Sequence, residues 1–196
     1  MFRKLALLAC AFLLAGCILP SPNPPTPSAE QIGTEEEAVY ATLLPKMYHA
    51  TGYVIMETTA TNAVGVEDTA KTVDYVMQNM HDVAPGISAS FLSRNDKAYS
   101  FRPDLKIGNG YVLLSWDQRN EIFNQNQSGW EIFYQNYPTA PGITTLSRVG
   151  FNPAFDQALV YIGTQSNWLA GAGYYVLLKK VDGLWTIDQK VMVWVS

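Results

Sequence analysis

The stretch YYVLLKKVDGLWTIDQKVMVWV, residues 174–195, decides the fold class. Two runs rich in β-branched and aromatic residues flank Asp182-Gly183, a two-residue turn whose backbone twist matches that of a β-hairpin. Setting Val181 opposite Leu184 pairs Leu178 with Ile187, Val176 with Gln189 and Tyr174 with Val191. One face of the hairpin then carries Tyr174, Val176, Leu178, Trp185, Ile187 and Val191. The other carries Lys179, Thr186, Asp188 and Lys190, with Tyr175 and Leu177 as apolar exceptions. A sheet apolar on one side needs helices on that side, so the expectation is an α+β fold: an antiparallel sheet ending in a C-terminal meander, with helices from the N-terminal half packed on one face.

Working outward, 144–151 and 157–162 read as further strands divided by Asn152-Pro153, and Gly171-Ala172-Gly173 reads as a hairpin connection. It is too short for a phosphate cradle and leads into a strand rather than a helix. Residues 111–115 and 52–59 also have strand composition. A helix is predicted from Thr34, whose hydroxyl would form a capping box with Glu37, and Pro45 should end it near Leu44. The acidic run Glu35, Glu36, Glu37 reads as the solvated start of that helix. A second helix spans 68–80 with Ala70, Val73, Met77 and Met80 on its core stripe, and short helices fit 117–123 and 129–134.

The other end of the chain has a different character. Arg3 and Lys4 precede an apolar run over 5–15 that is too short to span a bilayer, followed by Leu14-Ala15-Gly16-Cys17. This segment resembles the lipobox of bacterial lipoproteins. The resemblance implies a signal peptide over 1–16, a diacylglyceryl group on Cys17, and a mature chain beginning at that residue. With Ile18 rather than aspartate after the cysteine, it implies a cell-envelope location facing outside the cytoplasm, at the outer membrane if the host has one. The only other cysteine, Cys10, lies within the leader, so the folded part has no thiol to pair. Residues 17–33 form the lipidated cysteine and a tether whose prolines favour extended conformers, and 34–196 form a single globular domain. Residues 147–152, 157–161 and 171–178 through Trp185 also resemble the closing meander of uncharacterised exported bacterial proteins, which implies no particular activity. A long hairpin with an aromatic after a Gly turn is similar to those ending small cone-shaped α+β domains of the nuclear-transport-factor-2-like kind.

Thirteen basic against 17 acidic residues give a net charge of −4, and no basic run occurs. Nucleic acid is therefore not an expected partner, and membrane attachment rests on the acyl chains. No HExxH, cysteine pair or G-x-S-x-G is present, so no metal, cofactor or catalytic residue is expected. The runner-up to a binding or envelope-associated module is a hydrolase using Asp117 and Glu121, four apart on a helix, or His81. On that helix Asp117 is otherwise the expected cap. His49 and His81 at helix ends fit dipole partners better than metal ligands. A third class is an accessory subunit of a membrane complex. The ligand-contact candidates are Trp168, Asn167 and Gln165, in a loop over 165–169 expected to be free of ladder hydrogen bonds, where an aromatic face lies among amides suited to a small molecule, a glycan or a protein partner. Trp130, Tyr134 and Tyr137 lie near a comparable amide run, 124–127.

Replacing Cys17 by Ser is expected to abolish uptake of radiolabelled fatty acid and to leave the chain unprocessed or mislocalised; continued labelling would remove the lipoprotein reading.

Overall fold

The computed structural model describes residues 27–63, 65–108, 110–124 and 128–196. Cys17 and most of the expected tether lie outside these residues. In chain order the elements are α1 (Ala29–Met47), β1 (Gly52–Met56), α2 (Thr69–Gln78), α3 (Ile87–Arg94), β2 (Gly110–Leu114), α4 (Trp116–Phe123), α5 (Gly129–Asn136), β3 (Ile143–Leu146), β4 (Gly150–Phe151), β5 (Gln157–Asn167), β6 (Ala170–Val181) and β7 (Leu184–Val195). The fold is α+β, and β5, β6 and β7 form the C-terminal meander.

Helix α1 starts earlier than the acidic run suggests. Ser28 is the cap, and it exchanges bonds with Gln31 in a capping box, so the first helical turn occupies residues assigned above to the tether. Pro45 lies inside the last turn without ending the helix before Met47. Helix α2 begins at its expected cap, Asp68, and turns Val73 and Val76 inward. Helix α3 is unheralded by a long apolar period; it follows Gly86 in the left-handed region and buries Ile87 and Phe91.

The strand order is β2-β1-β3-β5-β6-β7, with β4 added beside β5. The sheet is mixed rather than antiparallel throughout, because β1 runs parallel to both β2 and β3. A parallel return needs a crossover, and α2 and α3 supply it between β1 and β2. Alternate residues of β5 enter different cores. Ala158, Val160 and Ile162 pack with Val39, Leu43 and Leu44 of α1, while Leu159 and Tyr161 pack with Val76 and Phe91. A third cluster joins Val54, Met56 and Leu114 to Ile122, Trp130 and Phe133 of α4 and α5. Helices therefore cover both faces, not one.

The hairpin register explains this difference. Val181 pairs with Leu184 and Leu178 with Ile187 as expected, but a bulge follows, and Leu177 pairs with Gln189, Val176 with Lys190 and Tyr175 with Val191. One extra residue on β7 transfers Val191 to the face of Tyr175 and Leu177, where it packs half-buried against the cluster formed with α2 and α3. The glycine-rich stretch is strand, not loop. Trp194 lies over Gly171 and Gly173, leaving no room for a Cβ on either, and donates its indole N–H to Tyr161 Oη at 2.8 Å.

The acidic run proves to be three separate attachments. Glu35 meets Lys180 and Trp185, Glu37 meets Arg102, and Glu36 is buried. The Glu36 carboxylate accepts from Arg94 Nη2 at 3.0 Å, Arg148 Nε at 2.8 Å, Tyr40 Oη at 3.1 Å and the backbone N–H of Val149 at 2.8 Å. These partners surround the chain where β3 stops and β4 has not begun. There Tyr40 donates to Ser147 O, Asn95 bonds both N–H and C=O of Arg148, and Arg94 Nε donates to Val149 O. Side chains of α1 and α3 thus satisfy a buried interruption that the pattern 144–151 reads as one continuous strand.

Glu36→Gln is expected to cost about 3–5 kcal/mol, because it leaves two guanidinium groups without their shared carboxylate; denaturant unfolding checks this. Burial, followed by the Glu36 charge, pushes the Tyr40 phenol well above its ordinary value, and burial pushes Tyr48 up to about 12. A phenol that ionises less readily when folded stabilises the fold fully below about pH 10, and that contribution is lost as pH rises through the folded value. Stability should accordingly fall above about pH 10, in step with tyrosinate absorbance.

Candidate functional site

The β5–β6 hairpin is tighter than the loop expected over 165–169. Gln165 pairs with both Ile143 and Gly171, and Asn167 pairs with Ala170, so only Trp168 and Leu169 form the turn. Asn167 Oδ1 accepts from the backbone N–H of Trp168 at 2.7 Å, which commits that amide to shaping the turn. Gln165 is half-buried in the sheet. Of the three candidate contact residues, Trp168 alone keeps a large apolar surface in solvent, at 50 % exposure, beside Leu169 at 85 %.

Trp168 is neither wholly inward nor wholly free. Its ring meets Phe123 edge-on at 5.7 Å between centroids and Trp130 at 6.5 Å. Trp130 itself is buried against Phe123, Phe133 and Tyr134, so it fills the core. Its indole N–H has no acceptor among the described residues. Tyr134 donates its hydroxyl to Ser166 O at 2.9 Å, bracing the hairpin from α5. The amide run 125–127 lies outside the described residues.

From Trp168 the exposed aromatic surface continues along α4. Ser115 caps this helix through a capping box with Gln118, displacing Asp117 from the expected capping role. Ile122 faces the core, and Trp116, Arg119 and Phe123 fall at i, i+3 and i+7 on a common side. The Arg119 guanidinium lies 5.5 Å from the Trp116 ring and 5.3 Å from the Phe123 ring. Trp116 is half exposed and is oriented by its indole N–H to Thr58 Oγ1 at 3.3 Å. The result is a stripe, Trp116, Arg119, Phe123 and Trp168, in which a delocalised cation separates aromatic faces. Such a surface stacks against apolar or ring-bearing groups and offers guanidinium donors at its centre. The spacing of Trp116, Arg119 and Phe123 behind Ser115 was a signal available in the sequence.

The hydrolase candidates are not brought together. Asp117 and Glu121 are exposed on α4, whose Ile122 packs with Val54 and Met56 of β1 and Ile143 of β3. His81 exchanges backbone bonds with the Gln189 side chain on β7, an edge strand of the sheet. Among the described residues no group of three or more His, Cys, Asp or Glu is arranged to hold a metal ion. No helix among them is long and apolar enough to cross a membrane. No protein-family model, curated protein or solved structure matches the chain.

Trp168→Ala is expected to cost about 1–2 kcal/mol, the loss of two edge contacts, against about 3–5 kcal/mol for Trp130→Ala in the core. Chemical denaturation of the two variants measures the difference.

Proposed function

We propose that the chain is a lipid-anchored, extracytoplasmic binding module, acylated at Cys17, which meets its ligand or partner through the stripe that runs from Trp116 to Trp168. The observation that carries the reading is the placement of two exposed leucines at opposite ends of β6. Leu184 sits at the Asp182-Gly183 turn, close to where Glu35 of α1 bonds Lys180 and Trp185. The chain enters the domain at this end, through Ser28. Leu169 sits at the other turn, where Met47 and Tyr48 at the far end of α1 share a groove with Ser166 and Gly171. Twelve residues of β6 at about 3.3 Å each separate the turns by roughly 40 Å. A domain tethered through Ser28 holds the Trp168 turn away from the lipid, in reach of soluble or envelope-bound partners.

Anchoring at one end and recognition at the other predicts an asymmetric contact map. A photo-crosslinking side chain placed at Leu169 in the acylated protein on its own membrane should give a discrete adduct that Trp116→Ala weakens. The same group at Leu184, comparably exposed, should not give that adduct. Equal adducts from both ends, or none from Leu169, would defeat the proposal.

A further inference from the structure

A second surface lies apart from the aromatic stripe. Between the first half of α1 and the segment 99–106 is a cleft of about 490 Å³, within the range of small-molecule sites. Its charged groups are Glu30, Glu36, Glu37, Arg102, Lys106 and Arg148. Glu37 is engaged by Arg102, and Glu30 is exposed in the first turn of α1. Glu36 is saturated by its hydrogen bonds and carries two guanidinium groups, Arg94 and Arg148, on one carboxylate. That leaves one positive charge in excess at a largely desolvated position, which is costly unless an anion answers it.

Arg148 is prepared to receive one. Its Nε and Nη2 hold Glu36 at 2.8 and 2.9 Å, and its guanidinium lies 4.7 Å from the Tyr99 ring. The group is therefore fixed in plane, and Nη1 makes no hydrogen bond among the described residues. A fork already immobilised loses little freedom on binding a second oxyanion. Lys106 stands at the rim without a carboxylate in ion-pair range among the described residues, and Tyr40, Tyr99 and Phe101 supply apolar wall. We propose that this cleft binds a small organic anion, its carboxylate or phosphate head seated on Arg148 and Lys106 and its body against Tyr99 and Phe101.

The test titrates the full chain in non-ionic detergent with phenyl phosphate, benzoate and neutral benzyl alcohol by calorimetry. One or both anions should bind at a single saturable site, with benzyl alcohol giving no saturation. Lys106→Glu, an exposed change that leaves the Glu36 network intact, should weaken anion binding by about tenfold or more. Arg148→Lys keeps the charge on Glu36 but removes the fork, and should weaken binding while Trp168→Ala does not. Saturation by only one of the two anions identifies the head group. No saturable binding of either up to about 10 mM, equal binding of benzyl alcohol, or indifference to Lys106→Glu overturns the proposal.

Discussion

The Glu36 carboxylate is the constraint on which the arrangement of elements depends. Between Leu146 and Gly150 the chain leaves one strand and enters another, and apart from the Ser147 N–H, which donates to Tyr161 O of β5, its backbone groups need partners that no ladder supplies. Glu36, Tyr40, Arg94 and Asn95 provide them, and in doing so bind α1 and α3 to the same three residues. The interruption also lets β4 lie under α3. A Cβ on Gly150 would stand 2.6 Å from the Phe91 backbone, so only glycine allows this approach. A buried carboxylate with two guanidinium partners adds less net stability than its hydrogen bonds suggest, because all three groups lose water. Its contribution is to define one arrangement of helix, helix and strand break.

Two bulges in the β6–β7 ladder play the corresponding role at the other side of the sheet. Before the first, the hairpin follows the register set by Asp182-Gly183; between the two, the residues of β7 face the other way, and the second, where Tyr174 pairs with Met192 but Gly173 with Trp194, restores the original facing. The first brings Val191 beside Tyr175 and Leu177, which are buried under α2 and α3 although the face was expected to be polar, and Trp194 packs against the same cluster opposite Gly173. The glycines at 171 and 173 belong to the same packing, since the Trp194 ring occupies the space their side chains would need.

The two candidate surfaces differ in physical kind. The stripe from Trp116 to Trp168 is aromatic and exposed at its two tryptophans, and its cation, Arg119, lies between the rings of Trp116 and the half-buried Phe123. The cleft at Arg148 is polar and recessed, and its cation is held by a buried carboxylate. Lone exposed aromatics are ordinary on soluble domains, whereas Trp116, Phe123 and Trp168 are linked through one guanidinium and ring contacts.

Local chemistry in the sequence determined the α+β class, the Asp182-Gly183 hairpin, the start of α2 at Asp68, the strands around residues 54, 112, 159 and 176, and the aromatic character of the Trp168 turn. Each depends on side-chain period, turn residues or a cap within a few positions of one another. Tertiary structure decided the rest. Glu36 reads as a solvated residue between two glutamates because its partners are 58 and 112 positions away. Ser28 was hidden as a cap by the prolines before it, and α3 by its length of eight residues. Trp168 could not be assigned inward or outward, since Phe123 and Trp130 reach it from a different part of the chain. The bulge after Ile187 was invisible because period-two alternation assumes an unbroken ladder, and the choice of which face Val191 buries belongs to α2 and α3, not to the residues beside it.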